Sequence, residues 1–480
     1  MLTSTPQGHQ TSFFGDDLIN QLDPHDPLVL LAHAIPWQSL DEKLSAGYTF
    51  QKGRPSLPIR RLAGLLILKQ LENLSDERVV LQWKQNPYYQ YFCGEKNFQT
   101  QLPCHATELV HFRKRIGTAG VEAIFKISIA LHGKAAEERT VNIDSTVQEK
   151  AITYPTDGKL AIKIINRLGK IAKEHAIARR RSYAKEVKEQ RLKLRFFRHI
   201  KKRASAKKAV KRLRTIAGAL MRELERKLPA EVLAHYAEDF TLYNQVLNQK
   251  KNDSNKIYSL HEPKAYCIAK GKDHKPYEYG AKASVVTTAK TNIIVGVMSH
   301  AENIADVKTL PDVISKTNAM RKTPIAEAVC DRGYRGAKMI EGAAIILPKK
   351  PLKRDSRYQR DIKRKKCRRR AAIEPIIGHL KSHYRLAKNY LKGTAGDEIN
   401  LLMAACAWNF RKWIVHTLNA IFCALNLAFT PVKQGLNSLF IILRSFSQAP
   451  KDDFRANLSV ISRVFWCGIA MGVVVRLFQG

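Results

Sequence analysis

Apolar residues first recur at helical spacing, from about residue 40 onward, and this pattern predicts an N-terminal helical region. PIRRLAGLLILKQLENLSDERVVLQWKQNP predicts two helices, the second capped by Ser75. HATELVHFRKRIGTAGVEAIFKISIALHG predicts two more, with Gly117 and Gly120 at the break. We therefore interpret residues 1–39 as a tail and residues 40–135 as a helical domain.

After this region the apolar residues alternate with polar ones, a period of two residues, and many of them are β-branched. This pattern indicates strands. Strands are predicted in ERTVNIDSTVQE, EYGAKASVVTTA, TNIIVGVMSHA, PIAEAVCDRGY and AAIILP. Helices are predicted from about Ala305 to Asn318, in RGAKMIEG, in AAIEPIIGHLKSHYRLAKNYL and in NLLMAACAWNFRKWIVHTL, while PLKRDSRYQRDIKRKKCRRR is interpreted as a charged connection. Strands mixed with helices predict an α/β core over residues 136–415.

A basic helical insertion, residues 159–249, is predicted to interrupt this core. Leu160, Ile164, Leu168 and Ile171 fall on one helical face, and heptad-like spacing recurs at Val210, Leu213, Ala217, Leu220 and Leu224. The pattern indicates antiparallel helices that are apolar inside and basic outside. Residues 416–480 are predicted to form an apolar helical tail, either a dimerisation appendage or a translated extension with no selected role.

The charge balance is strongly positive: 82 Lys and Arg stand against 42 Asp and Glu, a formal net charge of +40. Such an excess predicts a polyanionic partner, either nucleic acid or an anionic membrane surface. The apolar stretch VFWCGIAMGVVV is shorter than the ~20 residues of a spanning helix, and the N-terminus lacks a signal-peptide pattern. Eight scattered cysteines with no zinc-finger spacing suit a reducing compartment. We expect a cytoplasmic protein with no membrane partner.

Three acids are placed where a site would be expected. Asp144 is predicted to end the first strand, Asp331 to end a later strand, and Glu374 to open a helix. Rigid strand ends aim ligands into one crevice, although an Asp after a strand is also a common turn or cap residue. Three carboxylates suit two Mg²⁺ or Mn²⁺ ions, which would support in-line phosphoryl transfer.

The helix around Glu374 carries two stripes. Ile373, Ile377, Leu380 and Tyr384 form an apolar face, and a second stripe consists of Arg370, Glu374, Gly378, Lys381 and Arg385. The second stripe presents one acid flanked by cations, which could hold a metal ion and DNA phosphates. The alternative is that Glu374 only complements the helix dipole while the cations are solvated.

These motifs together resemble those of bacterial insertion-sequence DDE transposases. Asp144 in VNIDSTV, Asp331 in CDRGYRG and Glu374 in RRRAAIEPIIGHLK are similar to the catalytic triad of that family. Arg370, Glu374 and Lys381 match the Y-x2-R-x3-E-x6-K signature of one group, but Cys367 stands at its tyrosine position. The resemblance implies an RNase H-like core, two Mg²⁺ ions, recognition of terminal inverted repeats in double-stranded DNA, and a homodimer on DNA. It also implies that residues 40–135 are a DNA-binding domain and that the protein is associated with the bacterial nucleoid.

The expected function is therefore metal-dependent cleavage and strand transfer of an insertion sequence. The catalytic and metal-binding residues would be Asp144, Asp331 and Glu374. The expected DNA contacts are Arg370, Lys381, Arg385, Tyr334 and Arg335, with a turn that packs Tyr334 inward as an alternative for that residue. The alternatives are a metal-dependent nuclease without strand transfer, a decayed transposase, and a non-catalytic DNA-binding protein.

Overall fold

The computed structural model describes residues 17–48, 55–197, 199–250, 252–269, 275–336, 338–348 and 354–446, with side chains up to residue 424. The chain divides into two units, residues 1–412 and 413–480. The first unit contains the N-terminal helices, the mixed sheet and the helical insertion.

Six helices precede the sheet: α1 (Pro27–Ala34), α2 (Trp37–Ser45), α3 (Ile59–Leu71), α4 (Asp76–Gln85), α5 (Pro87–Phe92) and α6 (Ala106–Ala130). The Ser75 side chain caps α4 by accepting from the Arg78 backbone N–H, as its position predicted. Gly117 adopts φ 58° and ψ −162° within α6, so the predicted break is confirmed there. Helix α1 and the start of α2 lie before residue 40, where the pattern had indicated a tail.

A buried ion pair ties α4 to α6. Both Oδ atoms of Asp76 accept from the Arg113 guanidinium, at 2.8 and 2.6 Å, and Lys69 reaches Asp76 at 2.8 Å. Burial favours the protonated acid, but Arg113 and Lys69 outweigh it and lower the pKa of Asp76 to about 2. Arg113 is therefore a structural cation, not a surface residue available to DNA.

The insertion has its own hydrophobic core. Its helices are α7 (Asp157–Glu174), α8 (Ala184–Leu194), α9 (Arg203–Lys227), α10 (Ala230–His235) and α11 (Ala237–Asn248). The predicted apolar faces of α7 and α9 meet there, with Leu160, Ile164, Leu213 and Leu220 at most 3% exposed. Their long basic side chains remain on the outside of this cluster.

The sheet contains eight strands: β1 (Thr140–Lys150), β2 (Tyr266–Ala269), β3 (Tyr277–Thr288), β4 (Ile294–His300), β5 (Glu327–Val329), β6 (Met339–Ile340), β7 (Ala343–Ile346) and β8 (Lys388–Asn389). Its order is β2-β3-β1-β5-β7-β6, with β4 also paired to β3 and β8 to β1. β1 is antiparallel to β3 and parallel to β5, and β5 is parallel to β7. This mixed sheet flanked by helices is consistent with the expected RNase H-like core.

Four helices complete the order: α12 (Asp306–Asn318), α13 (Arg357–Arg370), α14 (Ile373–His383) and α15 (Gly393–Phe446). Several predictions in this part are wrong. The described residues of RGAKMIEG contain the short strand β6 and no helix, and most of the charged connection is the helix α13. The buried face of α14 uses Ile376 in place of the predicted Ile377.

The second unit is helical over residues 413–446, where the tail was expected to be helical. The stretch VFWCGIAMGVVV lies outside the described residues. Within the described part of the chain, no helix has both the length and the hydropathy needed to cross a membrane.

Candidate active site

Two parallel strands bring the first two acids together. Asn142 on β1 pairs with Val329, the last residue of β5, and Asp144 and Asp331 each lie two residues farther along. Because side chains alternate along a strand, Asp144 shares a face with Asn142. Asp144 does not end β1 as predicted, because β1 continues to Lys150 alongside β3 and β8. It lies where the neighbouring strand β5 ends.

Asp331 opens a tight turn. Its Oδ1 accepts the backbone N–H of Gly333 at 2.7 Å and caps a 3-10 turn over Arg332–Tyr334. A Cβ at Gly333 would lie 3.0 Å from Asp331 Oδ1, which explains why glycine suits this position. The cap holds one carboxylate oxygen in place.

Arg370 connects Asp144 to Glu374. Its Nη1 lies 3.3 Å from Asp144 Oδ2, and its Nη2 lies 3.0 Å from Glu374 Oε1. The Glu374 side chain is 61% exposed, whereas those of Asp144 and Arg370 are mostly buried. The junction of α13 and α14 thus places Glu374 close enough to Asp144 for the Arg370 guanidinium to contact both carboxylates.

The surroundings of Asp144 raise the pKa of its carboxyl group, because they destabilise the charged form. Burial raises its pKa most, and the charges of Asp331 and Glu374 add to that effect. The Ser145 backbone N–H and Arg370 act in the opposite direction, and the result is a pKa of about 6. A perturbed carboxyl beside two further acids is typical of a functional site.

The expected DNA-contacting residues have different environments. Tyr334 is 1% exposed, so the prediction that it contacts DNA is wrong and the inward-packed alternative is correct. Arg335 is exposed and Lys381 is half-buried. Arg385 donates to the Asn73 carbonyl at 3.2 Å.

Sequence reasoning missed Asp306. Its position predicts a helix N-cap, but Ala305 is the N-cap of α12 and Asp306 is the first helical residue. Asp306 Oδ1 accepts from Ser145 Oγ and from Lys282 Nζ, both at 2.8 Å. Its ion pair and hydrogen bond couple α12 to β1 and β3 next to Asp144.

Helix α13 forms a basic surface over the β1–β5 pair. It contains nine Lys or Arg and one Asp in 14 residues. Lys366 binds Glu327 at 2.6 and 2.7 Å, so the Glu327 carboxylate is paired with a cation of α13. Burial alone would raise the pKa of Glu327, but the hydrogen bonds from Lys366 and Thr140 outweigh it and the pKa is lowered.

The donor set fits a hard divalent cation by its chemistry. Among the described residues, no three His, Cys, Asp or Glu side chains converge closely enough to hold one metal ion. Arg370 instead spans Asp144 and Glu374. All three candidate ligands are nevertheless carboxylates, which suit Mg²⁺, and a bound cation would relieve the raised pKa of Asp144.

Comparison with known proteins identifies the family. A transposase domain model (DUF772) matches residues 16–115, and a transposase DDE domain model matches residues 251–410. An uncharacterized protein, ORF8 in the nfe locus of Rhizobium meliloti, is 39% identical over 204 residues, which is 42% of this chain and 98% of that protein. The chain belongs to the DDE transposases. No solved structure matches it.

The match to the DDE transposase model includes only two of the three candidate acids. The matched segment contains Asp331 and Glu374 but begins after Asp144. Asp144 joins the candidate site through its strand register and through Arg370. DDE transposases generally depend on divalent metal and act on DNA; membership in the group with the Y-R-E-K signature stays a prediction.

Proposed function

We propose that this transposase binds the terminal inverted repeats of an insertion sequence and catalyses metal-dependent DNA cleavage and strand transfer, acting as a homodimer on DNA in the bacterial nucleoid. Asp144, Asp331 and Glu374 would hold two Mg²⁺ ions. The observation that carries the proposal is the grouping of Asp144 with Asp331 and, through Arg370, with Glu374.

The metal supplies activation of the attacking oxygen and stabilisation of the leaving oxygen. The protein's own residues prepare the site for that chemistry. Asp144 is mostly ionised above pH 6, so its ligand form dominates at neutral pH. Arg370 offsets carboxylate charge that would otherwise repel a DNA phosphate. The cations of α13 extend this positive field beside the acids.

A two-plasmid assay tests the proposed reaction. A supercoiled donor carrying the element's ends is incubated with the full chain, Mg²⁺ and a target plasmid, with labelled ends. We expect 3′ ends cut at the repeats and then joined to target DNA. Cleavage without joined products would favour a nuclease, and DNA binding without cleavage at any metal concentration would reject the catalytic proposal.

We further propose that the insertion contacts DNA, since α9 carries nine Lys or Arg against two Glu. Lys207, Lys208 and Lys211 are exposed on α9, outside the insertion core. Replacing all three with Ala should weaken binding to element ends about 10-fold near 0.1 M salt and flatten the salt dependence, because each lost phosphate contact reduces the slope by about one.

The matched control removes the same charge elsewhere, by Ala at the exposed Lys43, Lys134 and Lys322. Gel-shift titrations across a salt series compare both variants with the unmodified chain. Equal weakening by the two triple variants would indicate a general charge effect and would reject a specific role for the insertion.

A further inference from the structure

Asp306, at the start of α12, binds the residue that follows Asp144. Its Oδ1 accepts from the Ser145 hydroxyl and from the Lys282 ammonium, both at 2.8 Å. The backbone N–H of Ser145 donates to Asp144 Oδ1, also at 2.8 Å. Ser145 therefore contacts Asp306 through its side chain and Asp144 through its backbone, so Asp306 holds in place the donor that orients the Asp144 carboxylate.

The second carboxylate oxygen of Asp306 lies against the turn that carries Asp331. A Cβ at Gly333 would lie 3.4 Å from Asp306 Oδ2 and 3.0 Å from Asp331 Oδ1, so both carboxylates approach this glycine. The Gly333 backbone N–H is the donor that caps Asp331. Asp306 thus lies beside the backbone donor of each of the two acids, through a hydrogen bond at Ser145 and through close approach at Gly333.

The position of Asp306 is fixed by the sheet and by its own helix. Lys282 of β3 is 9% exposed, and its ammonium also donates to the Ile304 carbonyl at 2.8 Å. One buried cation therefore ties both the segment before α12 and the Asp306 side chain to β3. Within the first turn of α12, the Thr309 hydroxyl donates to the Asp306 carbonyl at 2.6 Å. Asp306 is consequently a rigid link between β1 and the turn after β5.

Helix formation alone does not explain this arrangement. An acid in the first turn of a helix usually complements the helix dipole from the solvent side. Ala305 is the N-cap of α12, and Asp306 uses its Oδ1 on side chains of two strands. Asp312, on the same helix, is exposed and provides the contrast. The contacts of Asp306 therefore point toward the candidate active site.

We propose that Asp306 is a positioning residue for the metal site: it sets the spacing of Asp144 and Asp331, and thereby the affinity for Mg²⁺, without binding the ions itself. The inference rests on the proposed function, in which Asp144 and Asp331 are metal ligands. Metal ligands must be held within about 0.5 Å of their productive geometry, and loss of a partner that orients them typically weakens metal binding by about 10- to 100-fold. Two donors at 2.8 Å, one of them an ammonium, occupy Asp306 Oδ1, which assigns this acid to orientation.

The test measures Mg²⁺ binding to the full chain without DNA, by calorimetry with MgCl₂ and by the rise in melting temperature that MgCl₂ causes. Asp306→Ala should weaken Mg²⁺ binding by about 10-fold or more. The rise in melting temperature should shrink accordingly, because it depends on the ratio of Mg²⁺ concentration to Kd. Asp306→Asn keeps an oxygen that can accept from Ser145 and should bind Mg²⁺ nearly as tightly as the unmodified chain. Asp312→Ala, at an exposed position on the same helix, is the matched control and should leave Mg²⁺ binding unchanged.

Ser145→Ala is the second variant, and it serves if Asp306→Ala fails to fold. It removes the hydroxyl that Asp306 accepts from and should weaken Mg²⁺ binding by a similar factor. Combining Asp306→Ala with Ser145→Ala should add little to either change, because both break the same interaction. In single-turnover cleavage, Asp306→Ala should raise the Mg²⁺ concentration for half-maximal rate by about 10-fold and recover most of the rate at saturating Mg²⁺.

A lower melting temperature with unchanged Mg²⁺ affinity in Asp306→Ala and Ser145→Ala would assign Asp306 a purely structural role and overturn the proposal. Equal losses in Asp306→Asn and Asp306→Ala would overturn it too, because they would assign the effect to charge. Asp331→Asn, measured alongside, separates this inference from the proposed function. Loss of Mg²⁺ binding in Asp331→Asn but not in Asp306→Ala rejects the positioning role alone. Mg²⁺ binding that survives Asp331→Asn, or that the unmodified chain lacks, contradicts the metal site itself and rejects both.

Discussion

Asp331→Asn is expected to lower Mg²⁺-dependent cleavage of element ends by about 1,000-fold or more. A metal ligand contributes several kcal/mol to the stabilisation of charge in the transition state, and about 1.4 kcal/mol corresponds to 10-fold in rate. Asn keeps an oxygen that can accept the Gly333 N–H, so the turn after β5 should persist. Duplex binding at a fixed salt concentration should change less than about 3-fold, because phosphate contacts dominate affinity.

Asp312→Asn provides the matched control, since Asp312 is exposed on α12. It removes the same charge from the same unit and should retain full cleavage. Single-turnover cleavage with labelled ends, read beside gel-shift titrations, separates catalysis from binding. If Asp331→Asn still cleaves at the rate of the control, Asp331 does not belong to the catalytic set.

The same variant has a pH signature that reports how close the Asp331 charge lies to Asp144. Burial is the main cause of the raised Asp144 pKa, and the Asp331 charge adds to it. With a folded pKa of about 6 against an ordinary 3.8, Asp144 favours the folded state most at low pH, and this contribution is lost as pH rises from about 4 to 6. The loss should be smaller in Asp331→Asn. Melting temperatures at pH 4.5 and 7 measure it.

The sequence predicts elements well where apolar periodicity is strong. β1, β3, β4 and the faces of α7 and α9 follow the alternation and helical spacing of their apolar residues. The helix α13 lacks that signal because none of its residues is buried. It is stabilised by a capping box, in which Ser356 and Gln359 exchange hydrogen bonds. The S-x-x-Q pattern of that capping box, in SRYQ, is a sequence signal that could have predicted the start of this helix.

Site residues could be predicted where a sequence motif marked them. They could not be predicted where tertiary packing determines what a side chain contacts. Asp144, Asp331 and Glu374 stand out by strand and helix context. Asp306 resembles an ordinary helix-start acid, and only the fold reveals its pairing with Lys282 of β3. Tyr334 follows Asp331 in a polar-looking turn, yet its ring packs into the core, which local sequence does not indicate.

A second large effect is expected at Lys150, the last residue of β1. Lys150 is 5% exposed, and its Nζ donates to the carbonyls of Leu391 and Gly393 at 2.9 and 3.1 Å. It also pairs with the buried acids Glu262 and Asp397, at 3.2 and 2.9 Å. One ammonium thus joins β1 to the segment after the insertion and to the start of α15.

Lys150→Met should destabilise the chain by about 3–5 kcal/mol, because it leaves two acids buried without their cation. Thermal denaturation should show a midpoint several degrees lower. Lys170→Met is the control: Lys170 pairs with Glu174 at 3.4 Å on an exposed face of α7, and loss of such a pair costs about 0–1 kcal/mol.

Adding Glu262→Gln and Asp397→Asn to Lys150→Met distinguishes lost packing from stranded charge. Burial already raises the pKa of Asp397 despite Lys150, so neutralising that acid removes a cost that the cation only partly offsets. If uncompensated charge dominates, the triple variant should recover most of the lost stability, since replacing a whole buried ion cluster is often close to neutral. Recovery of none of it would instead assign the effect to the hydrogen bonds that Lys150 donates to Leu391 and Gly393, which no neutral methionine replaces.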